Sequence, residues 1–419
     1  MSGAMQRTVI AVAAFLGIAY AVLTPPFEVP DEVYHFWRPL IIAQGQLMPQ
    51  RRGAPDAGTI PLGAQNLVFV MQTRKTAEGK YTREQMAVAA RSPLEAGRPK
   101  LVRFPSWYTP VPYAPQAMAG LVMRLFGLRP FLVFYLGRLL NLAAALALMA
   151  MAMRAAPEHA TMLAAVTLLP MTMAQFASWS ADALTIALAA LLIALLLGER
   201  APRGAIVVAF VLALCKPAYF LIALLALHTR WRRGVKAAVI GASALGTVLA
   251  LAYARIGAYA QRMFDPIDPA AQLRCLISDP MRFVRAVGHD VPSHGRMYME
   301  QLVGRFGGGV QVGMPSWAIV AEILLLLAVA VFGRAKARPT VGGIVVLSGI
   351  GIFLSQFLIW SVACGEVVEG VQGRYFLPLL PLALTLPAFA RFRVPAPLVI
   401  ALAAVCNLAA LASIARYFW

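Results

Sequence analysis

Two adjacent acids, Asp31 and Glu32, stand in the stretch "PPFEVPDEVYHFWR", residues 25–38, with Glu28, His35 and Arg38, in a chain that is only 13% charged. A carboxylate that is partly desolvated at a membrane surface binds its proton more tightly and can act as a general base. His35 follows the pair by about one helical turn, so the three side chains could share a face. They could also hold a divalent metal, although one histidine with two acids is a weak metal pattern. A helix cap would account for the two acids alone, but not for His35, Arg38 or the prolines before them. The sequence leaves open which of Asp31 and Glu32 would take a proton.

Further ionisable residues fall in or beside apolar runs: Arg138, Asp182 in "SWSAD", Lys216 in "CKPAY" and Arg374 in "QGRYFLP". Such residues are expensive at membrane depth and are functional candidates by default. Lys216 precedes a proline, so one helix should end there and another begin, and a new helix N-terminus favours an anion. Arginine can hold a phosphate through two parallel hydrogen bonds. Each residue also has a plainer reading: a snorkelling lysine, an interfacial Arg-Tyr anchor, a helix cap at Asp182, a local ion pair at Arg138. Jointly they suit a substrate with a phosphate at headgroup level and a lipid tail in the bilayer.

The elements that must position these residues are membrane helices. The chain has 419 residues and is 60% hydrophobic, with a mean hydropathy of +0.72. Soluble domains are nearer 45–50% apolar. Several apolar runs reach the roughly 18 residues that cross a bilayer, and they are too long for barrel strands. The net charge of +19 is explained by cytoplasmic loops rich in Lys and Arg rather than by nucleic-acid binding. The first run, Val9 to Leu23, could pass for a signal peptide but reads better as an anchor.

Spans are expected near 8–24, 131–153, 160–177, 181–197, 235–254, 316–333, 341–361, 373–390 and 395–414. The stretch 110–127 is expected at the outer face, and 204–228 as two short helices meeting at Lys216-Pro217. This gives eleven spans, with the N-terminus inside. The short inside segments then hold thirteen Lys and Arg against Glu158 and Glu199. The single polytopic domain, residues 1–419, has two large outer loops, 25–130 and 255–315. Within the first, Val33, Phe36, Trp37, Leu40 and Ile41 form one apolar stripe, expected to lie along the membrane surface. The second contains the glycine run of "GRFGGGVQVGMPSW", a mobile cover or an ordinary connector, and Glu300 as a further acid. Cys275 and Cys364 fall in outer loops, so a disulfide between them can form.

"PDEVYHF" resembles the Asp-Glu motif in the first outer loop of protein O-mannosyltransferases, members of the C-type (GT-C) integral-membrane glycosyltransferases. The segment Tyr108-Thr109-Pro110 with Tyr113, the Arg of the second span, "SWSAD" and the Lys-Pro break are similar to those enzymes too. More closely, "PPFEVPDE", "SWSAD", "CKPAYF" and "GVQGRYFLPLLP" resemble an uncharacterised family of bacterial multi-pass proteins assigned to that superfamily. The order of these motifs covers nearly the whole chain. Tyr34, between Val33 and His35, departs from the mannosyltransferase spacing.

The resemblance implies an all-α, GT-C-like membrane fold in a bacterial plasma membrane, with its active site outside the cytoplasm. The activity implied is transfer of a monosaccharide from a polyprenyl-phosphate donor to a glycan, lipid-linked or protein acceptor. Asp31 or Glu32 would be the base. Lys216 and Arg374 would bind the donor phosphate, with His35, Arg38, Tyr113, Arg138, Asp182, Tyr219 and Tyr375 as further substrate contacts. A divalent metal held by Asp31, Glu32 and His35 stays open. The rivals are a lipid-linked-sugar flippase and a non-catalytic subunit of a polysaccharide assembly complex.

Overall fold

The computed structural model describes residues 1–48, 57–73, 76, 78–103, 108–257, 267–307, 311–332, 339–386 and 394–419. Among these, five helices are long and apolar enough to cross a membrane: α1 (Gly3–Leu23), α6 (Pro130–Ala155), α11 (Arg233–Gly257), α15 (Pro339–Ile359) and α17 (Ala396–Phe418). The numbering counts α2 to α5 in the first large loop, described below. Shorter apolar helices pack among the long ones: α7 (Ala160–Leu168), α8 (Pro170–Phe176), α9 (Asp182–Leu197), α10 (Pro202–Cys215) and α14 (Ser316–Val331). The sixteen residues of α9 are nearly all buried, so this helix runs through the middle of the bundle and reaches about 24 Å at 1.5 Å per residue. The chain is an all-α membrane protein, apart from two small two-stranded sheets among the described residues.

Two expected spans are interrupted. The run 160–177 breaks at Leu169-Pro170 into α7 and α8, because proline cannot donate the backbone bond that would continue the helix. The run from 373 becomes a 3-10 turn, Gly373–Leu379, and the single turn α16 (Leu380–Ala383), again with prolines inside it. The break at Lys216-Pro217 appears as expected: α10 ends at Cys215, and a 3-10 segment, Pro217–His228, follows. The basic stretches at 334–338 and 391–393 and most of the glycine run lie outside the described residues.

The first large loop carries α2 (Glu32–Ala43), β1 (Ala57–Pro61), α3 (Leu62–Thr73), α4 (Arg83–Arg91), β2 (Pro99–Arg103) and α5 (Ala114–Phe126), with β1 and β2 antiparallel. The apolar stripe of α2 is not left for lipid. Phe36 is buried against Phe27, Phe134 and Trp179, and Leu40 and Ile41 are buried in the same core. Burying a large apolar side chain is worth about 1.5–3 kcal/mol, so α2 is held to the bundle by its own stripe. Gly137 of α6 makes room for this packing, since a Cβ there would meet the Trp179 ring at 2.1 Å.

In the second large loop, α12 (Pro269–Ser278) is joined by the Cys275–Cys364 disulfide to the segment after α15. Helix α13 (Met281–Val303) lies against the Gly373–Leu379 turn, where Gly373 donates its N–H to Gln301 Oε1 at 2.9 Å. A Cβ at Gly373 would stand 1.9 Å from the carbonyl oxygen of Tyr298. Only glycine allows that approach.

Candidate active site

The two acids of the opening motif diverge. Glu32 begins α2 and turns inward, where its carboxylate meets the Arg138 guanidinium at 2.9 and 2.7 Å. The same carboxylate accepts the N–H groups of Phe27 (3.0 Å) and Trp179 (3.1 Å). Arg138 in turn donates to the carbonyls of Ala21, Thr24 and Pro25, at and just past the end of α1, where helix carbonyls lack partners within the helix. Both side chains of this pair are 0% exposed. It rivets α1, α2, α6 and the "SWSAD" turn together and borders neither of the cavities described below.

Asp31 faces the other way. Its backbone is left-handed, with φ 62°, a conformation open to aspartate at some energetic expense. Its side chain caps nothing and is 52% exposed, with Arg374 Nη2 at 3.1 Å. Asp31 lines a cavity of about 180 Å³ together with His35, Tyr108, Tyr113, Asp182, Lys216, Arg374 and Tyr375. Thus residues far apart in sequence converge at one end of the helices: the start of α2 and of α9, the end of α10, and the turn after α15.

Within the cavity the charges interlock. Lys216 forms an ion pair with Asp182, and Arg374 Nε lies 3.5 Å from the other Asp182 oxygen. The Lys216 ammonium also stands 5.0 Å from the Tyr108 ring and 4.9 Å from the Tyr375 ring, within cation–π range. Arg374 is buried, yet neither its Nε nor its Nη1 has a hydrogen-bond partner. Two acids and two cations therefore balance here, with guanidinium donors left over for a ligand. His35 Nδ1 sits 2.9 Å from the Tyr113 hydroxyl. Burial lowers the His35 pKa to about 4, outweighing the pull of Asp31 and Asp182, so the ring is neutral at physiological pH.

Several sequence expectations are corrected by this geometry. Glu32 and Arg138 form the sealed pair just described. Arg38 is buried and donates to the carbonyls of Gln46 and Leu47 and to Tyr253, away from the cavity. Tyr219 is buried beside Lys216 and donates to the carbonyl of Tyr375, so it supports the wall without lining it. Glu300 is taken up by Arg296 and Arg305. Because Glu32 turns away from Asp31 and His35, these three do not converge. Among the described residues no group of three or more His, Cys, Asp or Glu is placed to hold a metal. The "SWSAD" turn is fixed by Asn141 Nδ2, which donates to the Ser178 and Ser180 carbonyls. Ser180 Oγ accepts the Asp182 N–H, which leaves the Asp182 carboxylate for the cations.

Gln356, Trp360 and Gln372 also line the cavity and were not singled out by sequence. Neutral side chains at the end of an apolar span carry no local signal. Glu322 was missed as well. It is 0% exposed inside α14, and neither carboxyl oxygen meets a nitrogen or oxygen donor.

The fold and the buried charges define a multi-pass helical membrane protein with a polar cavity at the ends of its helices. The chain belongs to the family described as "Predicted membrane protein (DUF2142)", whose model matches residues 14–383. No curated protein and no solved structure matches it.

Proposed function

We propose that the protein is a GT-C-type glycosyltransferase of a bacterial plasma membrane, with about eleven membrane segments and a cytoplasmic N-terminus. It moves a monosaccharide from a polyprenyl-phosphate donor to an acceptor hydroxyl outside the cytoplasm. The observation that carries the reading is the half-exposed Asp31 carboxylate, in a strained backbone, sharing a cavity with Lys216 and Arg374. The Cys275–Cys364 disulfide supports an oxidising compartment for the same face.

In this reading the acceptor hydroxyl loses its proton to Asp31, and its oxygen bonds to the anomeric carbon. The bond from that carbon to the phosphate oxygen breaks, and the phosphate leaves with the electron pair. Lys216 and Arg374 stabilise the charge that grows on it, a preorganised electrostatic term. A single displacement inverts the anomeric centre. The resting contacts add a step: the donor phosphate competes with Asp31 for Arg374, so donor binding frees the base. Asp31→Asn should abolish transfer in membranes supplied with a panel of polyprenyl-phosphate sugars, and retained transfer would sink the assignment.

One observation favours a flippase as the second reading. A buried carboxyl at membrane depth is a functional candidate by default, and Glu322, beside the Cys406 thiol, is one. That reading expects Glu322→Gln to stop lipid-linked sugar movement while Asp31→Asn is tolerated, the reverse of the transferase pattern.

A further inference from the structure

On the other side of residues 370–374 lies a second, larger cavity of about 250 Å³. Gly370, Gln372 and Arg374 border both cavities, so one short stretch of chain is their common wall. The backbone of the opening motif also divides between them. Glu28, Val29 and Pro30 border the larger cavity, whereas Asp31 borders the smaller.

The larger cavity differs in chemistry. The smaller one gathers Lys216 and Arg374 around an anion-sized space. The larger one is lined by Gln175, Gln301, Gln311 and Gln372 and by Glu28, over an apolar floor; Gln301 Oε1 is used by the Gly373 N–H, which leaves its Nε2 as the donor. Its Arg305 is already paired with Glu300 at 3.0 Å. Gln175 is 1% exposed, its Oε1 has no hydrogen-bond partner, and its Nε2 reaches only the Met171 sulfur at 3.5 Å. A buried amide left without partners loses about 1–3 kcal/mol. Here it borders a space where a ligand can supply them. The charged groups on its border are already matched, Glu28 by the Tyr81 hydroxyl, Arg305 by Glu300 and Arg374 by Asp31 and Asp182, so the amides beside the rings of Phe306 and Phe418 match a ligand with many hydroxyls and no charge.

We infer that this larger cavity binds a neutral saccharide, the acceptor sugar, presented to Asp31 across the 370–374 wall. The saccharide chemistry stands on the cavity itself, and the acceptor role rests on the transfer reading above. The volume suits a single small ring, being below the ~300–1,000 Å³ of pockets for drug-sized ligands.

The test uses the full-length protein in lipid nanodiscs and ligand-observed NMR. The probes are methyl α-glycosides of glucose, mannose and galactose, the acetyl-serine-amide dipeptide mimic, and decyl phosphate. At least one glycoside should bind, and Gln175→Leu and Gln301→Ala should each weaken it by about tenfold. Lys216→Ala should leave glycoside binding unchanged, and the melting midpoint identifies variants that fail to fold, in which case the other amide variant decides. The inference is overturned if no glycoside binds, if binding survives both amide changes, or if the serine amide binds in a Gln175-dependent manner, which would point to a polypeptide. The decyl phosphate arm is separate. Binding that is insensitive to Lys216→Ala removes the donor site of the transfer reading and leaves the saccharide cavity standing.

Discussion

Two carboxylate–guanidinium pairs begin one residue apart and have opposite fates. Glu32–Arg138 is sealed, with every oxygen occupied and both side chains at 0% exposure. Asp31–Arg374 is open, with the acid 52% exposed and the guanidinium keeping an unused donor. Breaking a sealed pair leaves a bare charge in a dry interior, which weakens the fold. Breaking an open pair exposes both partners to whatever enters the cavity. Adjacent acids in sequence are thus divided by one left-handed residue into a sealed and an open member.

The comparison can be broken from either side. Asp31→Asn should lower sugar transfer by about 10²–10⁴-fold without moving the melting midpoint; a shift in melting with normal transfer would reverse the two roles. Arg138→Ala should destabilise the protein by about 3–5 kcal/mol, read as loss of folded protein on extraction. Normal stability in that variant would mean that the sealed pair is not a rivet. Lys216→Ala should weaken decyl phosphate binding by roughly 10–100-fold, the range for a charge-assisted hydrogen bond, and should also lower the melting midpoint, because it leaves buried Asp182 without its ion-pair partner.

The smallest effect concerns His35. Its folded pKa of about 4 lies below the ordinary 6.5, so the unfolded chain binds the extra proton first as pH falls. Its contribution to stability is complete above about 6.5 and is lost on acidification toward 4. His35→Gln should flatten that part of the stability–pH curve. An unchanged curve in the variant would assign the slope to another group.

The sequence made the membrane class, the Lys216-Pro217 break and the convergence of Asp31, Asp182, Lys216 and Arg374 legible, because charge in an apolar chain is conspicuous. It could not separate Asp31 from Glu32. That choice depends on the sign of one φ angle and on Arg138, 106 residues away from Glu32. Nor could it tell that the apolar stripe of α2 packs on Trp179, since lipid and a protein core present the same demand to a periodic pattern. The amide-lined cavity was silent for another reason: single glutamines at helix ends resemble ordinary surface residues until the fold gathers them.

Gly373 carries a consequence for how movement could reach the smaller cavity. With no side chain at 373, the carbonyl of Tyr298 rests directly on the backbone that bears Arg374. Helix α13 therefore bears directly on the chain one residue from Arg374. A change in the tilt of α13 would carry Arg374 with it, because no side chain at 373 separates the two.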